Sequence, residues 1–183
     1  CKRGEAGVYI TFEEKKLKLY EDMASFGWDL AKYEKQNKFR FLEYTPEQVK
    51  KVLVEGGGTV DAIIGKIKAK RIVIDSITSF SLLYTDELTK KEAALDLFNL
   101  IEKWECTAVL TSQAKATESE SLLDAALEFE VDSILLLYHS KRKGERIRAI
   151  EILKMRGTKI PSKTFGIKIE KDGFSVTSEN LKV

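Results

Sequence analysis

Four short groups of residues in this 183-residue chain could do chemistry. Arg71-Ile-Val-Ile-Asp75-Ser76 is an apolar run ending in a carboxylate. At the carboxyl edge of a parallel sheet such an aspartate can hold Mg2+ directly or through water; aspartate also caps and turns well, so the run alone supports both readings. Thr11-Phe-Glu13-Glu14 closes another apolar run with two carboxylates, one of which can orient and deprotonate a water attacking a γ-phosphate. Thr11 and Glu14 have capping-box spacing, which would give Glu14 to the start of a helix and leaves Glu13 as the candidate base. Ser112-Gln113 follows the run Thr107 to Thr111, where an amide can sense a phosphate or simply close a turn. Lys154-Met-Arg156-Gly-Thr158 puts two cations two residues apart on an extended chain, hence on one face: a phosphate clamp or a solvated edge.

These groups need elements to hold them. Val8 to Phe12, Arg71 to Asp75 and Thr107 to Thr111 are β-branched apolar runs without clean polar alternation, the pattern of parallel strands covered on both faces. Residues 131–138 and 147–153 continue the strand pattern, and Thr164 to Ile169 and Phe174 to Thr177 flank Lys171-Asp-Gly173, a hairpin turn signal. Helical patterns lie between the first strands. Thr45-Pro-Glu-Gln48 predicts a capping box with proline at the first helical position, opening a pattern over 46–68 that Gly56-Gly-Gly58 breaks in two. Thr89-Lys-Lys-Glu92 predicts a second box, ahead of a buried face at Ala94, Leu97, Phe98, Ile101 and Trp104. The order is that of an α/β sheet domain with an antiparallel tail.

Composition narrows the classes. With 43% hydrophobic and 33% charged residues, 11 Gly and 2 Pro, the chain can bury a sizeable core, and one domain over residues 1–183 is expected. A formal net charge of +2 excludes nucleic-acid binding by bulk electrostatics and leaves only a local patch for it. Cys1 and Cys106 imply no disulfide framework, and the second falls in an apolar run that reads as a buried strand. No apolar stretch reaches membrane-spanning length and no signal-peptide pattern opens the chain, so a cytoplasmic location without membrane attachment is expected. His139 stands alone, which rules out a multi-histidine metal site and leaves oxygen-ligated Mg2+ as the metal to consider.

Gly7-Val-Tyr-Ile-Thr-Phe-Glu-Glu14, Phe26-Gly-Trp-Asp29, Ile72-Val-Ile-Asp-Ser-Ile77, Ser112-Gln113 and Lys154-Met-Arg-Gly-Thr158, in this order, resemble the KaiC-like ATPases of the RecA superfamily. The similarity covers nearly the whole chain. It implies a RecA-like P-loop NTPase sheet, mostly parallel with helices on both faces and an antiparallel C-terminal extension, and it implies ATP with Mg2+. By the resemblance Glu13 and Glu14 are the catalytic carboxylates, Asp75 is the Walker B acid on the metal, and Gln113 is the sensor, with Ser112 beside it among the nucleotide-binding residues. Lys154 and Arg156, with Thr158 beside them, would reach the γ-phosphate of a neighbouring subunit in a homo-oligomeric ring, typically a hexamer.

One part of the family pattern is not found. The motif G-x-x-x-x-G-K-[ST] does not occur: Gly65-Lys66 is followed by Ile67 and preceded by Val60 where the first glycine belongs. Cys1-Lys-Arg-Gly4 reads as the end of a helix running into a strand. The expectation is a chain lacking a P-loop strand and helix of roughly 30 to 45 residues, and inactive or nearly so by itself.

A recombinase-like role on DNA is disfavoured, because the segment after Gln113 carries Lys115 but also Glu118, Glu120, Asp124, Glu128 and Glu130, with a capping box at Thr117 to Glu120. A basic cluster, Lys141-Arg-Lys143 with Arg146 and Arg148 around Gly144, falls at an expected hairpin tip; it can meet nucleic acid, an acidic partner or a neighbouring subunit, or simply solubilise a loop. The readings that remain are a ring ATPase, regulatory or signalling in role, and a non-hydrolysing, nucleotide-dependent module that recognises a protein partner.

Overall fold

In the computed structural model, which describes residues 1–113, 129–142, 144–171 and 173–180, the strand patterns form two four-stranded sheets. The segment 114–128, on which the acidic stretch and the box at Thr117 were read, lies outside the described residues, as do Lys143 and Asp172. The chain divides into two compact units, Cys1–Leu127 and Glu128–Val183.

The first unit carries a parallel sheet. Its strands are β1 (Ala6–Thr11), β2 (Phe39–Glu43), β3 (Ala69–Asp75) and β4 (Thr107–Leu110), in the order β2-β1-β3-β4. Parallel strands need crossovers, supplied by α1 (Lys16–Ser25) and α2 (Leu30–Lys35) after β1, α3 (Pro46–Val54) and α4 (Gly58–Ile67) after β2, and α5 (Ile77–Ser81) and α6 (Glu87–Lys103) after β3. Val8, Ile10, Ile72 and Ile74 alternate along β1 and β3 and share a core with Val60 and Ile64 of α4, Phe80 of α5, and Leu97, Leu100 and Trp104 of α6. Full burial of side chains such as Phe80 or Ile72 stabilises by about 1.5–3 kcal/mol each. Tyr9, between Val8 and Ile10, faces the other way and stacks on Phe41 of β2, against whose ring Tyr20 of α1 packs edge-on. Helices thus meet both faces of the sheet.

Several expectations meet this structure directly. Thr45 caps α3 as a full box, its hydroxyl accepting from the Gln48 N–H at 3.4 Å while the Gln48 side chain accepts from the Thr45 N–H at 2.8 Å. Gly56-Gly-Gly58 separates α3 from α4. The box expected at Thr89 is not formed: α6 starts earlier, with Asp86 as N-cap accepting from the Thr89 N–H at 2.8 Å, because an upstream aspartate is the stronger cap. Its buried face uses Ala94, Leu97, Leu100 and Trp104, with Phe98 and Ile101 half-buried. β4 is not covered as its composition suggested. It stands at the end of the sheet order, Val109 is 55% exposed, and Cys106 precedes the strand half-buried. Cys1 to Gly4 form a turn, closed by the Gly4 N–H on the Cys1 carbonyl at 3.0 Å with Gly4 at φ 91°.

The second unit is antiparallel throughout: β5 (Ser133–Arg142), β6 (Glu145–Met155), β7 (Thr164–Glu170) and β8 (Gly173–Asn180), in sequence order. Glu170 stands opposite Gly173, as the turn signal at 171–173 requires, and Arg142 stands opposite Glu145, which makes Gly144, at φ 88°, part of a hairpin tip.

Candidate functional site

The register of the parallel sheet assembles the site. Thr11 of β1 lies beside both Glu43 of β2 and Asp75 of β3, and Ile74 lies beside Leu110 of β4. The residues that follow each strand therefore emerge along one edge: Glu13 and Glu14 after β1, Ser76 after β3, and Thr111, Ser112 and Gln113 after β4. This is the carboxyl edge, where open α/β sheets bind ligands.

Asp75 is half-buried there and is held from both sides. The Thr111 hydroxyl donates to its Oδ1 at 2.6 Å and the Tyr9 phenol donates to its Oδ2. Burial, reinforced by the Asp75 carboxylate, pushes the Tyr9 phenol well above its ordinary pKa, so it remains a donor across the working pH range. The Asp75–Ser76 peptide is cis. Thr11 is buried, and its Oγ1 accepts from the N–H groups of Glu14 at 3.0 Å and Glu13 at 3.3 Å, which turns the chain over the sheet edge. That turn stops short of a capping box, since α1 begins later, at Lys16, with Lys15 as its N-cap. Glu14 therefore does not close a helix start. The Glu13 carboxylate is exposed and accepts from the Ser79 hydroxyl of α5.

The same short helix reaches the third strand end. Gln113 donates its backbone N–H to Thr78 Oγ1 at 2.8 Å, and the Ser112 hydroxyl lies 3.4 Å from that oxygen. Gln113 stands exposed at the sheet edge, and the pair is tied to the Thr78 side chain of α5 instead of closing a turn on the backbone.

In the second unit Lys154, Arg156 and Thr158 form a group of their own. Lys154 Nζ donates to the Phe129 carbonyl at 3.3 Å, and Arg156 donates to the same oxygen while pairing with Asp132 at 3.4 Å. A shared acceptor places both cations on one face, as their spacing demands. Thr158 is exposed in the turn after β6, where its N–H donates to the Met155 carbonyl at 3.4 Å.

Sequence reasoning missed Tyr9, Thr111, Thr78 and Ser79. A tyrosine inside an apolar strand was a usable signal, because a half-buried phenol needs a partner. The other three are hydroxyls whose partners depend on inter-strand register. Among the described residues no three His, Cys, Asp or Glu side chains converge on one point. A divalent ion here would take Asp75 together with phosphate oxygens and water, the usual company of Mg2+, and each Asp75 oxygen keeps acceptor capacity beyond its one hydroxyl donor. The groove between α1 and α2, lined by Leu17, Tyr20, Leu30 and Ala31, contains none of these residues.

Comparison with known proteins gives a consistent picture. The family profile described as "ATPase: KaiC" matches residues 1–180. The circadian clock oscillator protein KaiC of Prochlorococcus marinus subsp. pastoris is 31% identical over 182 residues, 96% of this chain and 36% of that protein. A UPF0273 protein of Pyrococcus furiosus is 29% identical, over 97% of this chain and 76% of its own length. The crystal structure of a KaiC-like protein from Pyrococcus horikoshii OT3 has a TM-score of 0.82 at 32% identity, covering 96% of this chain and 77% of that one. The chain spans about a third of the length of the curated KaiC relatives it matches.

Proposed function

We propose, on the premise that the chain belongs to the KaiC family of ATPases, that the carboxyl edge of its parallel sheet binds and hydrolyses ATP at the subunit interfaces of a homo-oligomeric ring. The observation that carries this reading is the convergence of Glu13, Glu14, Asp75 and Gln113 on one sheet edge, with Asp75 fixed by donors from both flanking strands. Asp75 would hold Mg2+, which would supply neutralisation of charge on the phosphates. Glu13, with Glu14 beside it, orients a water and takes its proton as the water oxygen bonds to the γ-phosphorus. The bond from that phosphorus to the bridging oxygen breaks, and ADP leaves with the electron pair. Gln113 senses the phosphate from the next strand end, with Ser112 beside it. Lys154 and Arg156 act on the nucleotide of a neighbouring subunit, where Thr158 also makes contact, stabilising charge on the transferring group by the mechanism that gives trans-acting arginines about 10³–10⁵-fold in rate. The ring, of which a hexamer is the expected form, serves a regulatory or signalling role in the cytoplasm through a protein partner. Among the described residues no helix is long and apolar enough to cross a membrane.

Residues 1–183 contain no G-x-x-x-x-G-K-[ST], so turnover is expected only where such a loop is present with them. The test is Glu13→Gln in the P-loop-bearing protein. Loss of a general base should lower kcat by about 10²–10⁴ while nucleotide-dependent assembly persists. Undiminished turnover in Glu13→Gln combined with Glu14→Gln overturns the assignment. Nucleotide-dependent assembly without any turnover in the parent would instead identify a non-hydrolysing interaction module.

A further inference from the structure

The β5–β6 hairpin extends past the sheet that carries it. β6 pairs with β7 only over Ala149–Glu151, so residues 139–148 form a two-stranded arm. On this arm Lys141 stands directly opposite Arg146 and His139 directly opposite Arg148. Alternation along a strand places all four on one face, and all four are exposed. Beyond the backbone ladder, none of their side chains has a hydrogen bond or a carboxylate partner among the described residues. Like charges directly opposite each other across a hairpin destabilise it, so the arrangement works against the arm's own folding. By sequence the arm holds five cations, Lys141, Arg142, Lys143, Arg146 and Arg148, against Glu145, a formal +4 in a chain whose total is +2. The remainder of the chain is therefore net acidic, and the positive charge is local.

We infer that this arm is a docking site for the phosphate backbone of duplex DNA. Residues two apart on one strand face are spaced about 6.6–6.8 Å, so Arg146 and Arg148, with Lys141 opposite Arg146, present cations separated widely enough to meet different phosphates of one duplex. A two-stranded ribbon also has the width that the major groove of B-form DNA, about 12 Å, admits; the narrow major groove of double-stranded RNA does not. A membrane surface fits less well. Binding there wants apolar side chains among the cations, whereas within 139–148 the apolar Ile147 lies on the opposite face, and the exposed Leu137 of the cation face stands beyond the arm, one pair nearer the sheet. Contact through phosphates makes the binding independent of base sequence. The arm shares no residue with the carboxyl edge of the parallel sheet, and its occupancy requires no nucleotide turnover.

The test is fluorescence anisotropy of a labelled 20-base-pair DNA duplex against the full chain, from 50 to 200 mM salt. A single strand and a duplex RNA of equal length, and phosphatidylserine vesicles, serve as comparison ligands. Binding with Kd on the order of 10⁻⁴–10⁻⁶ M, weakening steeply with salt, is expected. Arg146→Gln with Arg148→Gln should reduce the slope of log K against log salt by about 1.8, since each phosphate contact contributes about 0.9. Arg146→Glu, which sets a carboxylate opposite Lys141, should abolish binding while holding or raising the melting temperature, so loss of binding cannot be ascribed to unfolding. No binding at 50 mM salt, an unchanged slope in the double variant, or tighter binding to the single strand, the RNA or the vesicles overturns the proposal.

Discussion

Replacing Tyr9 by phenylalanine removes one hydroxyl and leaves the ring on Phe41, whose centroid lies 5.8 Å away at an interplanar angle of 9°. What is lost is a hydrogen bond from a phenol to the Asp75 carboxylate. Bonds to charged groups contribute about 1.5–3 kcal/mol net. Asp75 is only half-buried and keeps the Thr111 donor, so a water can take the vacated place and the cost falls at the low end, about 1.5 kcal/mol. For a chain of 183 residues that corresponds to a melting temperature lower by about 3–6 °C. Urea unfolding should show a lower midpoint at unchanged slope. The decisive step is a double-mutant cycle: in an Asp75→Ala background Tyr9→Phe should cost almost nothing, giving a coupling of about 1–1.5 kcal/mol. A cost within about 0.3 kcal/mol of zero in the parent, or equal costs in both backgrounds, would falsify the claim that Tyr9 positions Asp75. With ATP supplied to the P-loop-bearing protein, the same variant should require more Mg2+ for half-maximal turnover.

Ser79→Ala removes the hydroxyl that holds Glu13; stability should change by less than about 1 kcal/mol at this exposed site while kcat shifts and KM stays, and steady-state kinetics showing the reverse pattern would place Ser79 in substrate binding instead. Gly57→Ala should destabilise by about 1–3 kcal/mol, measured by urea unfolding, because Gly57 sits at φ 107° and an added Cβ would lie 1.9 Å from Asp61 Oδ1. The same change should disturb the Trp104 indole, which donates to that oxygen, and so shift tryptophan fluorescence. Asp61 sets part of the acid stability. Burial alone would raise its pKa, but hydrogen bonds from Lys103 and Trp104 outweigh that and hold it below the ordinary value of 3.8. A depressed folded pKa stabilises above the unfolded value and is lost as pH falls through the folded one, so Asp61→Asn should flatten the loss of stability below about pH 4. An unchanged acid limb in urea titrations at successive pH values would remove Asp61 from that role.

What could be read from sequence and what could not separate along a physical line. β1, β3 and β4 announced themselves through apolar β-branched runs, and Asp75 and Glu13 through their places at the ends of those runs. β2 did not, because Phe-Arg-Phe-Leu-Glu is a half-buried edge strand whose Arg40 reaches the Glu34 carbonyl at 2.8 Å and breaks the apolar pattern. The cap of α6 was misplaced at Thr89 because both Asp86 and Thr89 have capping chemistry, and local spacing does not rank them; the structure uses the aspartate. The partners of Asp75 were out of reach for a different reason. Tyr9 and Thr111 lie 66 and 36 residues away and meet it only through strand register, which no single-chain pattern encodes.

Register also explains a division of labour at the edge. β3 lies between β1 and β4, so Asp75 receives a donor from each neighbour and its carboxylate plane is fixed before any ligand arrives. A group that organises charge on phosphates benefits from this, since preorganised dipoles cost nothing to align during the reaction. Glu13 is placed differently: it stands on the turn beyond β1, exposed, with its Oε1 accepting from one hydroxyl of a five-residue helix. In the proposed mechanism a base has to exchange that partner for a water and then keep a proton, which one hydroxyl partner hinders less than two would. Thr78, beside Ser79 on α5, accepts from the Gln113 backbone N–H, so the helix that holds Glu13 is itself tied to the segment after β4. The strand order thus leaves one carboxylate held by two donors and the other by one, which is the difference that the proposed roles of metal ligand and base call for.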